Sequence, residues 1–175
     1  VKQDSTADDT IIDDLIVAAR DKVEADTGRQ LITATWVLKL PQFYTEIMLP
    51  WPKLQSVSSI TYIDTSGNSQ TLAASEYQVN IDTEPGRIKA AYSKTYPATR
   101  DDYNAVTITY VSGYGTAGSD VPGALKQAML LLIGHLYENR EAVLVGTISK
   151  EIDLAYQSLI APFKLGWLWY AVGQA

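Results

Sequence analysis

The residues from Gly113 to Gly118 form the sharpest chemical motif in the chain, because they read Gly-x-Gly-x-x-Gly between a predicted strand and a predicted helix. In a dinucleotide-binding fold the helix begins within such glycines, and its amide groups face the pyrophosphate. Here four residues intervene before the helix, and the last of them, Pro122, has no amide hydrogen. A second strand that ends in an acid about 20 residues later is also missing from the pattern. We therefore interpret the motif as a strand-to-helix connection and predict no cofactor.

His135 is the only histidine, and the chain has no cysteine. The lack of cysteine excludes disulfides, thiolate metal sites and cysteine nucleophiles. His135 lies among leucines in an apolar helical stretch, where Glu138 is the only acid at a spacing of three or four residues. A metal site needs more ligands than this pair supplies. We interpret His135 as a core or interface residue and predict no metal site.

Three acids in turns, Asp101, Asp102 and Glu84, are the remaining candidates for acid–base chemistry. Acids in turns rich in proline and glycine are usually solvated, and the separation of two carboxylates cannot be read from sequence. The charged cluster from Glu138 to Glu141 is typical of helix capping and local ion pairing, with an intersubunit contact as the alternative. We predict no catalytic residues and no enzymatic activity.

The distribution of charge argues against nucleic-acid binding. The net charge is −6, and residues 1–30 hold eight acids against four bases. Proteins that grip DNA need clustered Lys and Arg side chains to replace counterions on the phosphates. Residues 128–134 form the longest apolar run, which is far shorter than the roughly 20 residues of a membrane span. We predict neither specific DNA binding nor a membrane segment, and we expect no signal peptide, because no basic region followed by an apolar stretch stands at the start of the sequence.

The elements that position these residues begin with a helix. Apolar residues recur at spacings of three and four from Ile11 to Val23, with acids between them. Asp8 to Thr10 supply capping oxygens, and Gly28 is suited to the residue after the helix. The pattern predicts a helix over residues 9–27.

The middle of the chain, residues 31–112, is predicted to be β-rich. Val106, Ile108 and Tyr110 alternate with threonines, as in a half-buried strand. The turns at residues 64–68 and 84–87 predict two hairpins, the first joining residues 56–63 to 69–72 and the second joining 77–80 to 87–90. We expect five to seven short antiparallel strands in a compact sheet or small sandwich, inserted between helices.

Helices return after Pro122, which suits the first position of a helix. Residues 124–140 are apolar almost all the way round, so this helix must be covered on most sides, either at the centre of the fold or by a neighbouring subunit. A second helix over about 152–162 follows a loop at 142–149. The last stretch carries exposed aromatic and leucine side chains that are typical of anchors for a partner: Phe163, Leu165, Trp167, Leu168, Trp169 and Tyr170. The alternative is that this arm folds back onto its own core.

Five segments, in order along about residues 9–163, resemble the head–tail connector (adaptor) family of tailed bacteriophages, which has relatives in gene transfer agents and prophages. They are Ala18–Leu31 (AARDKVEADTGRQL), Glu84–Ile88 (EPGRI), Val106–Gly115 (VTITYVSGYG), Val121-Pro122, and His135–Glu141 (HLYENRE). Each segment is weak alone, but five in register are specific. Two features depart from the family: the leading segment before the first helix is shortened at Val1, and the tryptophan-rich tail has no counterpart.

The resemblance implies an α+β fold with a helical frame and no catalysis. It implies a homo-oligomeric ring, expected to be dodecameric, in the neck of a virion assembled in the bacterial cytoplasm. That ring docks under the portal protein, continues the channel through which double-stranded DNA passes without specific binding, and offers a surface to the next neck or tail protein. Residues 1–163 are then one connector domain, and 164–175 are an aromatic arm.

Two roles are assigned to residues on this reading. The aromatic arm is predicted to bind the portal, and the subunit interface is predicted to include Leu131, Leu132, Glu138, Arg140 and Glu141. The rival functions are a β-rich ligand-binding module and a small hydrolase. A closed monomer with one deep polar pocket would favour either rival over a ring-forming connector.

Overall fold

The fold, given by a computed structural model that describes residues 9–138 and 150–165, contains three α-helices and seven strands. The helices are α1 (Asp9–Thr27), α2 (Gly123–Glu138) and α3 (Lys150–Ile160). The strands are β1 (Ala34–Leu40), β2 (Glu46–Leu49), β3 (Leu54–Ile63), β4 (Ser69–Thr71), β5 (Tyr77–Asn80), β6 (Gly86–Ala90) and β7 (Val106–Ser112). The predicted α+β class, with β structure inserted between helices, is confirmed.

The first helix has the bounds that its sequence predicts. Ala19, Val23 and Thr27 are its buried residues, at the three- and four-residue spacing of one helical face. Gly28 follows with a φ of 70°, and its N–H donates to the carbonyl of Glu24 at 2.8 Å. A left-handed residue at this position is favourable only for glycine, and it ends the helix with a backbone hydrogen bond.

The seven strands form two antiparallel sheets that pack as a sandwich. One sheet has the strand order β1-β7-β3-β4, and the other has the order β2-β6-β5. Along β7 every second residue is buried, so Val106, Ile108 and Tyr110 face inward. These side chains share one hydrophobic core with Ile47 and Ile88 of the other sheet. Of the two predicted arrangements, a single sheet or a small sandwich, the structure has the sandwich.

Both predicted hairpins are present. In the first, Oδ1 of Asp64 accepts hydrogen bonds from the N–H groups of Ser66 and Asn68, at 3.0 and 2.9 Å. A hydrogen bond from the side chain of Gln70, followed by these backbone bonds, lowers the pKa of Asp64. In the second, Gly86 lies so close to Leu54 that a β-carbon would clash with that side chain. Each turn is therefore specified by particular residues rather than by general polarity.

The three helices enclose a second hydrophobic core. Leu125, Ala128 and Leu132 of α2 pack with the inner face of α1 and with Tyr156 of α3. The hydroxyl of Tyr156 donates to Asp26 at 2.8 Å, and burial, with that carboxylate as a further cause, raises the pKa of Tyr156. Leu130, on the opposite face of α2, is 60% exposed. A single chain therefore covers only the inner face of α2, and cover of the outer face by a neighbouring subunit stays a prediction.

The predicted end of α2 at residue 140 and the loop at residues 142–149 lie outside the described residues. The second C-terminal helix is confirmed, and a single 3₁₀ turn, Ala161–Phe163, follows it. Across residues 9–138 and 150–165, we find no helix with the length and apolarity needed to cross a membrane.

Candidate functional site

Arg29 is the most deeply buried charged side chain described, with 8% of its side chain exposed. Its Nη1 lies 2.6 Å from Oε2 of Glu84 and donates to the hydroxyl of Tyr114 at 3.3 Å. Its Nε donates to the carbonyl of Phe163 at 2.5 Å. A buried charge is tolerated only when its donors are satisfied, and this guanidinium has three separate partners. We call these four residues the arginine junction.

Four parts of the chain bring the arginine junction together. Arg29 follows the glycine that ends α1, and Glu84 lies in the turn between β5 and β6. Tyr114 follows β7, and Phe163 ends the 3₁₀ turn after α3. Burial raises the pKa of the Tyr114 hydroxyl, while the neighbouring Arg29 opposes this rise. The junction is therefore a structural tie between the helical frame and the sandwich.

A second polar contact holds the segment between α1 and β1. Glu24 accepts hydrogen bonds from the side chain of Gln30 at 2.9 Å and from the N–H of Leu31 at 2.8 Å. Burial raises the pKa of Glu24, although the hydrogen bond from Leu31 acts in the opposite direction. The carboxylate thereby fixes the path by which Arg29 enters the junction.

The glycine motif serves backbone packing. Gly113 has a φ of 133°, and a β-carbon there would lie 2.6 Å from the N of Thr33. Gly115 lies against the carboxylate of Asp120, which accepts the N–H of Ala117 at 3.0 Å. A carboxylate in this place repels phosphate, so the motif does not have the arrangement of a dinucleotide site. The interpretation as a strand-to-helix connection agrees with this geometry.

The acids considered for acid–base chemistry lie apart. Glu84 belongs to the arginine junction, whereas Asp101 and Asp102 lie in the loop after β6 and are exposed. The length of β6 separates the two positions. His135 is half-buried on α2. Within the described part of the chain, no three His, Asp or Glu residues are grouped as metal ligands.

The residues predicted for the subunit interface have different environments. Leu132 is 2% exposed and belongs to the core that the three helices of one chain form. Leu131 is half-buried and Glu138 is exposed, while Arg140 and Glu141 lie outside the described residues. The exposed Leu130 is a candidate that the sequence pattern missed, because the pattern predicts an apolar helix without showing which side is covered.

The start of the predicted aromatic arm is attached to its own chain. Phe163 packs against the helical core, and the N–H of Leu165 donates to the carbonyl of Thr27 at 3.0 Å. The side chain of Lys164 donates to Gln157 at 2.7 Å. The other members, Trp167, Leu168, Trp169 and Tyr170, lie outside the described residues. The described start of the arm therefore lies beside the arginine junction, and its binding role stays a prediction.

No protein-family model matches the sequence, and no curated protein matches it. Solved structures do share its fold. A chain in the neck of an empty gene transfer agent particle, computed with C6 symmetry, superposes with a TM-score of 0.75 and 24% identity, covering 95% of this chain and 85% of that chain. The chain has the fold of a gene transfer agent neck protein.

Two further structures show this neck-protein fold. One belongs to the virion of a native gene transfer agent particle, with a TM-score of 0.77, 24% identity and coverage of 95% of this chain and 84% of that one. The other belongs to the neck of a native particle computed with C12 symmetry, with a TM-score of 0.73, 24% identity and coverage of 89% and 85%. The resemblance to head–tail connectors is thus confirmed at the level of the fold.

Three of the five segments that carry the sequence resemblance meet in this neck-protein fold. Arg29 comes from the first segment, Glu84 from the second and Tyr114 from the third, and all three belong to the arginine junction. Their separation along the chain hides this contact in the sequence. The resemblance therefore rests partly on residues that tie the helices to the sandwich.

Proposed function

We propose that this protein is a structural head–tail connector of a tailed phage or a phage-like particle. Identical subunits form a ring under the portal, extend the DNA channel and provide the docking surface for the next neck or tail protein. The observation that carries the proposal is the fold, which matches chains in gene transfer agent necks over 89% to 95% of this sequence. The C6 and C12 symmetries of those necks support a closed ring, and twelve subunits are expected.

The exposure of the outer face of α2 is evidence in favour of contact between subunits through this helix. Leu130 is exposed there, and a β-carbon added to Gly134 would meet nothing within 4 Å. A small residue beside an exposed leucine lets a neighbouring helix approach closely. Leu131, Glu138, Arg140 and Glu141 extend this proposed interface. Leu132 contributes to the proposed interface indirectly, because it belongs to the core that holds α2 in place.

The negative charge on α1 is evidence in favour of a channel through which DNA passes without binding to the wall. Asp13, Asp14 and Asp21 are exposed on this helix. Carboxylates repel phosphates, so a wall that carries them offers DNA no stable contact. Binding of duplex DNA by the isolated protein that is tight and salt-sensitive would contradict this part of the proposal.

Mass measurement tests the proposal directly. The purified protein, alone and mixed with portal complexes, is expected to give a particle of twelve 19.2 kDa chains. Leu130→Asp is expected to leave the chain folded but to reduce the ring fraction, because it places a charge in the proposed interface. A monomer under both conditions, with one deep polar pocket that binds a small molecule, would favour a ligand-binding module or a small hydrolase instead.

The aromatic arm is proposed to bind the portal. Removing residues 166–175 leaves intact the contacts that Lys164 and Leu165 make within the fold. The shortened protein is therefore expected to fold and form rings but to lose attachment to portal-bearing capsids. Normal docking of the shortened ring would show that the portal contact lies elsewhere.

A further inference from the structure

The loop between β6 and β7, residues 91–105, lies at the end of the sandwich opposite the arginine junction. The strand β6 begins two residues after Glu84 and runs away from the junction to Ala90, where this loop starts. The loop contacts the β3–β4 turn through a bridge between Thr99 and Asp64. We call this loop, with the turns at residues 64–68 and 73–76, the sandwich tip.

Two tyrosines of the sandwich tip are almost fully exposed. Tyr92 and Tyr103 are each 90% exposed, whereas the other described tyrosines are buried or half-buried. An exposed aromatic ring gives the folded chain little stability, because it buries almost no area. At protein interfaces, however, tyrosine is among the residues that carry most of the binding energy.

The backbone holds both tyrosines in fixed turns. The N–H of Lys94 donates to the carbonyl of Ala91 at 3.0 Å, closing a turn around Tyr92. The N–H of Ala105 donates to the carbonyl of Asp102 at 3.3 Å, closing a turn around Tyr103. The ion pair between Lys94 and Glu76, at 3.0 Å, fixes the first turn against the neighbouring element.

The middle of the loop is attached to the sandwich as well. The ring of Tyr96 stacks on Phe43 with centroids 4.5 Å apart, and the N–H of Arg100 donates to the carbonyl of Ile63 at 3.0 Å. Because the backbone is already ordered, binding of a partner that covers the tyrosines does not include the entropic cost of ordering the loop. The backbone of the sandwich tip is therefore held in place at the positions of the two exposed tyrosines.

The surroundings of the tyrosines indicate what kind of partner fits. The exposed residues around them are mostly small and polar: Thr65, Ser66, Asn68, Ser75, Ser93 and Asn104. The charged residues of the tip include no excess of basic groups, since Lys94 and Arg100 stand against Asp64, Glu76, Asp101 and Asp102. This composition does not favour a nucleic acid, which needs an excess of basic groups. Rigid tyrosines among Ser, Asn and Gly on the end loops of a β-sandwich are the composition by which antibody loops recognise folded proteins.

We propose that the sandwich tip is the docking surface for a folded protein on the tail side of the ring, with Tyr92 and Tyr103 as its anchors. This inference rests on the proposed connector function and adds the surface by which the next protein is held. The described start of the aromatic arm, residues 163–165, lies beside the arginine junction, at the other end of the sandwich. One subunit therefore contacts a portal-side and a tail-side partner without competition between them.

Replacement of the gene in a particle-producing strain tests this inference, with Tyr92→Ser/Tyr103→Ser as the variant. The control is Ile81→Ser, which removes an exposed apolar side chain near the junction end of the sandwich. Both variants alter only exposed side chains, so their melting temperatures are expected within about 2 °C of the wild type. Electron microscopy then counts heads with a ring and a tail, heads with a ring alone and heads with neither.

The double variant is expected to give heads that carry the ring but lack tails, with the tailed fraction at least tenfold below that of Ile81→Ser. Tailed heads at the wild-type frequency would overturn the docking surface and leave the connector function intact. Heads without a ring would also overturn it, because the tyrosines would then serve the portal or subunit contact. If the wild-type protein is absent from particles, the connector function itself fails.

Discussion

The two ends of the sandwich reverse the usual placement of side chains. At the junction end the chain buries a guanidinium, Arg29, whereas at the tip it exposes two aromatic rings, Tyr92 and Tyr103. Burying a charge costs free energy unless the charge is paired and hydrogen-bonded, and Arg29 has an ion pair with Glu84 and hydrogen bonds to Tyr114 and Phe163. Exposing tyrosine costs little, but it leaves the area of the rings unused in the fold.

The difference separates residues that hold the chain together from residues that are available to others. The arginine junction joins four distant segments, so its contacts are already complete within one chain. The tyrosines of the tip have fixed backbones and uncovered side chains, so their contacts are incomplete. Unusual burial therefore has different consequences at the two ends of the sandwich. A buried charge whose partners lie in the same chain stabilises the fold, whereas an exposed aromatic side chain is available to bind another protein.

The sharpest way to test the first half of this comparison is a buried charge without partners. Leu132 lies in the helical core at 2% exposure, so Leu132→Asp places a carboxylate among mostly apolar side chains. The cost is several kcal/mol, and we expect the variant to be insoluble or unfolded. Leu130→Asp, on the exposed side of the same helix, is the control and should stay soluble. The comparison fails if Leu132→Asp is soluble and has the circular dichroism of the wild type.

A smaller loss in the free energy of unfolding is expected when the paired charge of Arg29 is removed. Arg29→Met keeps most of the buried stem but leaves Glu84 and the carbonyl of Phe163 without their donor. Breaking a buried pair in this way costs roughly 3 kcal/mol, and the partial exposure of Glu84 places this case at the lower end of the usual range. Urea unfolding measures the change. Arg20→Met removes a guanidinium that is 42% exposed and forms only a surface ion pair with Asp21, so it should change the free energy of unfolding by less than about 0.5 kcal/mol. Equal losses in both variants would show that the arginine junction contributes no more to stability than a surface ion pair.

Sequence patterns predicted the helices and strands, but they did not predict the buried arginine at one end of the sandwich or the exposed tyrosines at the other. The helix over residues 9–27 and both hairpins follow from periodicity, capping residues and turn chemistry, which act over a few neighbouring residues. Arg29 shows no such local signal, because a basic residue after a glycine is usually solvated. Its burial depends on Glu84 and Tyr114, which lie far along the chain. Exposure of Tyr92 and Tyr103 depends on how the loop crosses the sandwich, and no period in the sequence encodes that path.

The glycine motif gives a prediction of intermediate size. Gly113→Ala places a β-carbon against the backbone of Thr33 in a residue whose φ of 133° already excludes other side chains. We expect a loss of about 2 kcal/mol in the free energy of unfolding. Gly118→Ala is the matched control, since its β-carbon would meet nothing within 4 Å. Equal stability of the two variants would show that the motif has no packing role, and a cofactor role would need to be considered again.

The smallest expected effect concerns Glu24, the carboxylate beside the junction, and it depends on pH. Burial raises the pKa of Glu24 in the folded chain, so the folded state binds its proton more tightly than the unfolded state does. Stability from this group is therefore greatest at low pH and is lost as pH rises through the raised pKa. Glu24→Gln mimics the protonated form and can still accept the N–H of Leu31. At pH 7 it should increase the free energy of unfolding by a few tenths of a kcal/mol, since the site is partly screened by solvent.

The advantage of Glu24→Gln should disappear below pH 4, where the wild-type carboxyl is protonated in both states. Urea unfolding at the two pH values measures the difference. Asp21→Asn, on the exposed side of α1, serves as the control for the general loss of a negative charge from this acidic helix. If Glu24→Gln destabilises the chain at pH 7, the ionised carboxylate contributes more through its hydrogen bonds to Gln30 and Leu31 than burial costs it. The polar contacts near the junction would then resemble the Arg29 pair, in which a buried charge is stabilised by its partners.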